Sequence, residues 1–324
     1  MSRIARRSLL AAACGAVGAS VVGCRDAPVP PKLRARLAGQ PHDPSRGAPP
    51  FAPSRLRVVR DRLAAETPHA PRPAPGDWLY DHPETGQTFE EYLTSHPTFP
   101  SSGRRTLAIL PLGDLPPERA EIVTLATEYL GRHFGLPVRK LDPLPLPLST
   151  VPESAKRNKF GTTQLLTKWI LDSVLKHRVP SDAAALLAFT ASDLWPGENW
   201  NYVFGEATFD ERVGVWSLHR NGDPSASPEA FALALDRALK TAVHETGHMF
   251  SLPHCTRYAC VQAGVNSLEE GDRAPLWLCP ECLPKIAWIT STDPRARIEE
   301  TLEFCRKHRL PAKEHLERSL EVLG

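Results

Sequence analysis

The amino-acid sequence predicts an α/β (α+β) fold in which helices cover a mostly parallel sheet. Strand and helix patterns alternate from about residue 105 to residue 194, as in proteins built on parallel strands. An aromatic, β-branched segment at 199–220 then indicates a further strand pair, and a long helical pattern follows at 227–251. We therefore expect one domain over residues 77–324.

Each element of the alternating region has its own signal. The apolar run "RTLAILPLG" ends at a Gly-Asp turn and predicts a buried strand, and the next pattern begins with proline and ends with glycine, as helices do. A second strand leading into a proline-rich loop, a second amphipathic helix and a third strand follow. In chain order the five predicted elements cover residues 105–113, 116–135, 136–147, 162–178 and 182–194.

The predicted helix at 227–251 has a well-marked start. Ser227 is a suitable N-cap, and Glu229 places a negative charge in the first turn, where the helix dipole favours it. A helical tail is expected at about 294–323.

The first 23 residues are predicted to be a signal segment rather than part of the fold. A basic start is followed by a small-residue apolar run, and Arg6-Arg7 resembles a twin-arginine export motif. "VVGC" resembles a bacterial lipobox, which would make Cys24 a lipidated N-terminus. We therefore expect a protein held by lipid on the exported side of the bacterial cell envelope. The alternatives are a cleaved secretory peptide, giving a secreted or periplasmic protein, and an uncleaved membrane helix.

Residues 24–76 are predicted to be a proline-rich disordered tether. Proline alternates there with alanine, arginine and glycine, a composition that cannot bury enough apolar surface to fold. Residues 55–66 are compatible with a short basic helix inside this tether.

Charge excludes one class of partner. The formal net charge is +2 over 324 residues, which provides no electrostatic footprint for nucleic acid. The sequence gives no indication of the oligomeric state.

Three histidines and one glutamate form the strongest motif. His244 and His248 are four residues apart on the predicted helix and therefore share one face, which suits two ligands of one zinc ion. Glu245 lies beside them in an HExxH arrangement, where the glutamate acts as general base on a metal-activated water. His254 follows six residues later as a third ligand, which leaves the fourth position open for catalysis.

Four cysteines follow in two close pairs, Cys255 with Cys260 and Cys279 with Cys282. This spacing is typical of a closed, structural zinc site, which is our preferred interpretation. Two disulfides, or a redox pair in "CPEC", are the alternatives.

The combined motif resembles the archaemetzincin zinc peptidases. The resemblance includes the histidines, the glutamate and the cysteines at their spacing, and it extends over about residues 77–290 through "DLWPGENWNYVFGEATFDERVGVWS" and "NSLEEGDRAPLWLCPECLPKI". It implies a zincin-like (metzincin) fold, with a twisted mixed sheet, an active-site helix and a four-cysteine zinc knuckle at 255–282.

The resemblance also implies a function. One catalytic zinc would be held by His244, His248 and His254, a second, structural zinc by the four cysteines, and Glu245 would activate the zinc-bound water that hydrolyses a peptide bond. A peptide or protein is the expected substrate. In metzincins an edge strand binds the extended substrate, and residues 212–220 are our candidate for it.

Two positions depart from the family pattern. Ser251 stands where the family has glycine, and Gln262 stands where the family has the methionine of its Met-turn. These departures keep open the alternative that the chain is a catalytically weak or inactive module, stabilised by zinc, that binds a peptide or a partner.

Overall fold

A computed structural model describes residues 52–324, except residues 102, 199, 209 and 210. The predicted signal segment, the lipidation site Cys24 and the first part of the tether lie outside the described residues, so these remain predictions. No helix in the described part is long and apolar enough to cross a membrane.

A five-stranded mixed sheet with the order β2-β1-β5-β8-β7 forms the centre of the fold. The first four strands in this order pair in parallel, and only β7 runs antiparallel to its neighbour β8. The predicted strands of the alternating region are confirmed, as is the strand pair at 199–220. The strands are β1 (Thr106–Leu112), β2 (Val138–Lys140), β5 (Ala183–Thr190), β7 (Gly205–Ala207) and β8 (Val213–Ser217).

A second, three-stranded sheet has the order β3-β4-β6. It contains β3 (Lys156–Lys159), β4 (Thr162–Leu166) and β6 (Asp193–Trp195). The two sheets and their helices confirm the predicted mixed α/β fold class.

Helices cover both faces of the five-stranded sheet. Leu107 and Ile109 of β1 face a core formed with α4 and α6, while Ala108 and Leu110 face a second core formed with α5, as the alternation of a strand requires. The helices are α1 (Pro53–Ala64), α2 (Trp78–Asp81), α3 (Phe89–Thr94), α4 (Pro117–Phe134), the irregular α5 (167–178), α6 (Pro228–Met249), α7 (Leu268–Arg273), α8 (Cys282–Thr290), α9 (Pro294–Lys307) and α10 (Lys313–Leu323).

The predicted helix at 162–178 is wrong at its start. Residues 162–166 are strand β4, which pairs antiparallel with β3 and parallel with β6. The β3–β4 hairpin turns through Phe160 and Gly161, which both have positive φ (53° and 75°), as a two-residue hairpin requires. Phenylalanine at a positive φ is an unusual turn residue, so the sequence did not signal this hairpin.

Within the predicted tether, the short helix suggested at 55–66 is present as α1 (Pro53–Ala64), but it is docked on the domain rather than disordered. Helix α1 buries Leu56 and Leu63 completely or nearly so, and Leu56 packs with Phe89 and Ala287. Beyond the helix, the chain continues along the domain, where the N–H of Ala70 donates to the carbonyl of Arg257 (3.1 Å). The sequence suggests this helix but not its docking, because the partners of its apolar face, Phe89 and Ala287, are distant in sequence.

The predicted substrate-binding edge strand is also wrong. Residues 213–217 form β8, which is hydrogen-bonded to β5 on one side and to β7 on the other. Strand β7 is the edge of the sheet on this side within the described part.

Truncation of Leu56 tests whether α1 belongs to the domain. Leu56→Ala should lower the free energy of unfolding by about 2–5 kcal/mol, because it leaves a cavity against Phe89. Val58→Ala is the matched control on the same helix, since Val58 is 53% exposed and its truncation should change stability by about 0.5 kcal/mol or less. Urea unfolding of the full chain measures both, and equal stabilities would show that α1 is not docked.

Candidate metal centre and active site

Helix α6 carries the first part of the site. Its start is fixed by Ser227, whose side chain accepts a hydrogen bond from the N–H of Ala230 (3.1 Å), as predicted. The C-terminal part of the helix is buried, and His244, Glu245 and His248 there are each at most 6% exposed. A rigid helix that is buried at this end holds the three side chains in a constant relative position.

The chain reverses after α6 through a Schellman motif. The N–H of Ser251 donates to His248 O (2.7 Å) and the N–H of Leu252 donates to Gly247 O (3.1 Å). The motif places Ser251 at φ 64°, in the left-handed region, and returns the chain so that His254 lies against the first two histidines.

The three imidazoles are oriented by hydrogen bonds at their outer nitrogens. Nδ1 of His244 contacts Val261 O (3.0 Å) and Nδ1 of His248 contacts Leu252 O (2.6 Å). Since a carbonyl only accepts, both Nδ1 atoms carry the proton and Nε2 keeps its lone pair. The Nε2 atoms of His244 and His248 lie 3.0 Å apart, and the ligand atoms of all three histidines lie within 4.8 Å of one another.

His254 receives its orientation from a carboxylate. Its Nδ1 lies 3.0 and 3.1 Å from the two carboxylate oxygens of Glu84. Burial, the largest single influence, raises the pKa of Glu84, but the hydrogen bonds from His254 and Trp78 and the charges of His254 and His82 together lower it below its ordinary value. Glu84 also accepts a hydrogen bond from the indole of Trp78 (2.5 Å). Such a carboxylate–histidine pair orients metal ligands in many proteins.

Sequence reasoning missed Glu84. It precedes His254 by 170 residues, and its surroundings, "DHPETG", carry no metal-ligand spacing. The weak resemblance of residues 77–97 to the archaemetzincins was the only signal that this segment contributes to the site.

The imidazoles of His244 and His248 are in the neutral form that binds metals. Burial, followed by the nearby His254, lowers the pKa of His244 to about 3. Burial, followed by the other two histidines, also lowers the pKa of His248 well below its ordinary value. Two neutral imidazoles, with the ring of a third histidine within 4.8 Å of them, are the kind of donor set that zinc requires, so the residues fit the metal.

The four cysteines form a second cluster. Their Sγ atoms lie within 4.8 Å of one another, and none of the cysteines in the described residues forms a disulfide. The Sγ atoms of Cys255 and Cys279 are 3.5 Å apart, far beyond the roughly 2.05 Å of a disulfide. The N–H groups of Gln262 and Cys279 donate to Cys260 Sγ at 3.4 Å.

The pKa values of the thiols also favour a bound cation in this cluster. Hydrogen bonds from Cys260, Cys279 and Cys282 lower the pKa of Cys255, whereas burial raises the pKa of Cys260 and of Cys279. One thiolate is thus stabilised by the other thiols, and further ionisation needs a positive charge among them.

Residues 260–262 connect the two clusters. Cys260 belongs to the sulfur cluster, the carbonyl of Val261 accepts from His244, and the amide of Gln262 donates to His244 O (3.2 Å). His254 and Cys255 are adjacent in sequence, and Cys255 N donates to Gln262 O (2.8 Å). A displacement of one cluster is therefore transmitted to the other through two short backbone links.

A cavity of about 620 Å³, open to solvent, lies beside His244 and Glu245. Its wall is largely apolar, and charged residues stand at one end, where Arg237 forms an ion pair with Asp272 (2.6 Å). The apolar lining consists of Phe204, Val261, Ala263, Val265, Leu268, Ala274 and Pro275.

Edge strand β7 passes directly over the glutamate. A Cβ atom added to Gly205 would lie 3.5 Å from Cγ of Glu245. The edge of the sheet therefore lies within van der Waals range of the Glu245 side chain.

Comparisons with known proteins agree with this geometry. The model for "Peptidase family M54" matches residues 169–287. Human archaemetzincin-2 is 34% identical over 244 residues, which cover 66% of this chain and 67% of the human protein. Archaemetzincin from Pyrococcus furiosus is 29% identical over 184 residues, covering 56% of this chain and 93% of the relative.

The chain belongs to the archaemetzincin family. It is therefore a zinc metallopeptidase by family, as the sequence predicts. Among solved structures, archaemetzincin from Archaeoglobus fulgidus, in complex with malonate, is 28% identical with a TM-score of 0.44, covering 56% of this chain and 99% of that one. Archaemetzincin from Methanopyrus kandleri is 25% identical with a TM-score of 0.45, covering 68% and 98%.

Ser251, the first departure from the archaemetzincin pattern, stands at a position that favours glycine. Its positive φ costs a non-glycine residue about 1–2 kcal/mol. The Ser251 hydroxyl accepts a hydrogen bond from Thr98 N (3.1 Å), and a side chain–backbone bond of this kind offsets about 1 kcal/mol. The serine is thus partly compensated and fastens the turn to residue 98.

Gln262, the second departure, fills the position of the archaemetzincin methionine. It is fully buried, and its Oε1 has no hydrogen-bond partner among the described residues. A Cβ atom on Gly247 would lie only 2.1 Å from that oxygen, so a glycine in α6 is what allows the longer polar side chain to fit. The buried, unsatisfied oxygen lowers the free energy of unfolding by about 1–3 kcal/mol. The thioether of a methionine would not carry this cost.

Removal of Glu84 tests whether it orients His254. Glu84→Ala should weaken zinc binding at the histidine cluster by about 10- to 100-fold, because the Nδ1 proton loses its acceptor. Cobalt(II) titration distinguishes the two sites, because only cobalt bound by the cysteines gives thiolate charge-transfer absorption. Cobalt binding without that absorption therefore reports the histidine cluster. Glu66→Ala, an exposed carboxylate in the segment after α1, is the control. Unchanged affinity in Glu84→Ala would rule out the positioning role.

Proposed function

We propose that the chain hydrolyses peptide bonds with one zinc held by His244, His248 and His254 and with Glu245 as general base. The observation that carries this proposal is the common orientation of the imidazoles. All three place Nδ1 against a carbonyl or carboxylate oxygen, at 2.6–3.1 Å, which leaves the Nε2 atoms for one ion.

Zinc bound there supplies a Lewis acid for the peptide carbonyl and lowers the pKa of the attacking water. Glu245 accepts the proton of that water and passes it to the nitrogen of the leaving amine. Its position supports this role, since Glu245 follows the first ligand, is 2% exposed and lines the cavity beside His244. Burial excludes bulk water as a competing proton acceptor.

Strand β7 replaces residues 212–220 as our candidate for the substrate-binding strand. It is the sheet edge nearest Glu245, and an extended peptide added to it would place its backbone beside the carboxylate. The apolar cavity adjoining Glu245 would receive one side chain of the substrate, and its lining favours an apolar side chain.

We propose a second, structural zinc on Cys255, Cys260, Cys279 and Cys282, which makes two zinc ions per chain. The support is the mutual proximity of four buried thiols without a disulfide in the described part. The links through residues 260–262 mean that this zinc also holds His244 and His254 in place.

The proposal is tested by Glu245→Gln in the full chain. Hydrolysis of a peptide library should fall at least about 10²–10⁴-fold, because the amide cannot accept the proton. Elemental analysis should still find two zinc ions per chain, since no ligand is altered. Glu229→Gln, at the far end of the same helix, should retain full activity. If Glu245→Gln hydrolyses peptides as fast as the unaltered chain, the mechanism is wrong.

A catalytically weak, peptide-binding protein is the second candidate, and the buried Gln262 favours it. The unsatisfied amide oxygen lies beneath the histidine cluster, where it destabilises the geometry that catalysis needs. This candidate would be supported if the zinc-loaded, unaltered chain bound library peptides but cleaved none. Recovery of cleavage in Gln262→Met would then identify the glutamine as the cause.

A further inference from the structure

A second cavity lies among helices α1, α4, α9 and α10 and is not part of the proposed active site. Its empty volume is about 440 Å³, including its opening, and it shares no lining residue with the cavity beside Glu245. Its apolar wall is formed by Leu63, Leu276, Leu278, Leu283, Ile298 and Leu316, and its polar lining by Thr67, Tyr129, His133, Trp277, Arg297, Thr301, His315 and Ser319.

Arg297 is the unusual member of this lining. It is 4% exposed, and its Nε and Nη1 atoms have no hydrogen-bond partner among the described residues. It also forms no ion pair with any carboxylate in the described part. Burial lowers its pKa to about 10, so the guanidinium is still positively charged at neutral pH.

The other polar groups of the cavity do not neutralise this charge. Burial, followed by the charge of Arg297, lowers the pKa of His133 well below its ordinary value. Burial also lowers the pKa of His315 to about 4, so both imidazoles are neutral at pH 7. Nε2 of His133 and Nδ1 of His315 have no partner among the described residues, and each can donate to a ligand in the appropriate tautomer.

The hydroxyl groups are already engaged as donors. Thr301 donates to Arg297 O (2.8 Å), Ser319 donates to His315 O (2.9 Å), and Tyr129 donates to Leu276 O (3.2 Å). The cavity thus combines one positive charge, several donors that lack an acceptor, and apolar walls.

A buried charge without a partner is costly, and such groups are normally paired or bound to a ligand. We propose that this cavity binds a small monocarboxylate, whose two oxygens pair with Arg297 and whose apolar body contacts the leucines of the wall. A guanidinium matches the planar carboxylate with two parallel hydrogen bonds.

The charge and the walls favour a monocarboxylate over inorganic phosphate. The lining has a single positive charge, which one carboxylate neutralises, whereas phosphate at pH 7 would leave excess negative charge in a buried site. Phosphate also has no apolar part to contact Leu276, Leu283 and Leu316.

The first experiment compares the zinc-loaded full chain with Arg297→Met by calorimetric titration with sodium butyrate, at constant ionic strength in sodium chloride. The unaltered chain should show a binding event that Arg297→Met weakens at least 10-fold. Any binding of butyrate at the catalytic zinc persists in the variant, so the difference reports Arg297 alone. Arg306→Met is the matched control and should titrate like the unaltered chain, because Arg306 is an exposed residue of α9, the helix that also carries Arg297, and lies outside the cavity.

Thermal unfolding provides an independent measure. Butyrate should raise the midpoint of the unaltered chain by several degrees, and sodium phosphate at the same ionic strength should raise it much less. Without carboxylate, Arg297→Met should be at least as stable as the unaltered chain, because it removes an unpaired buried charge. Identical titrations of the two proteins, or equal effects of phosphate and butyrate, would overturn the proposal.

A crystallographic measurement keeps the test decisive if Arg297→Met fails to fold. Crystals of the unaltered chain soaked in sodium butyrate should show added density with its carboxylate on Arg297 and its alkyl chain against the leucines, which crystals without butyrate lack. An acidic side chain of the same chain paired with Arg297 in that map would show that the cavity has an internal partner, and the proposal would fall.

Discussion

The hydrogen bond from His244 to the carbonyl of Val261 is the constraint on which the functional geometry depends. It fixes the tautomer of the first histidine, and it does so with a backbone atom adjacent to Cys260. The histidine cluster and the sulfur cluster are thus two ends of one short segment. The structural zinc that we propose on the cysteines would stabilise this segment and would also set the direction in which His244 presents its lone pair.

Much of the fold and of the candidate site could be predicted from local sequence patterns. Helix α6 has a clear N-cap at Ser227 and a clear stop near Ser251, and His244, His248 and His254 have spacings that constrain each other once the helix is placed. The cysteine pairs are similarly informative. Metal ligands must lie close in space, and two cysteines joined by a short loop meet that condition.

The features that could not be predicted depend on long-range packing. No local sequence pattern marks Glu84 as functional. Its role depends on the folded chain, which places it against His254. The sequence suggests a helix at 55–66, but its docking depends on Phe89 and Ala287, which cover Leu56 only in the folded chain. The identity of the edge strand depends on sheet order, and an apolar pattern such as that of β8 is equally compatible with an edge and an interior position.

The segment before α3 (residues 53–88, here the N-terminal arm) contacts the loop after α6 that carries His254 and the first cysteines (residues 254–260). This contact also determines when the site can form during folding. His69 and Arg257 are in contact although they are 188 residues apart, and Glu84 reaches His254 over 170 residues. Closing such long loops is entropically unfavourable and slows folding. During synthesis the arm is made before residues 254–282, so the complete site can assemble only after both have been made. Leu56 and Leu63 are buried in the folded domain, and apolar side chains of this kind make a nascent chain prone to aggregation while they are exposed.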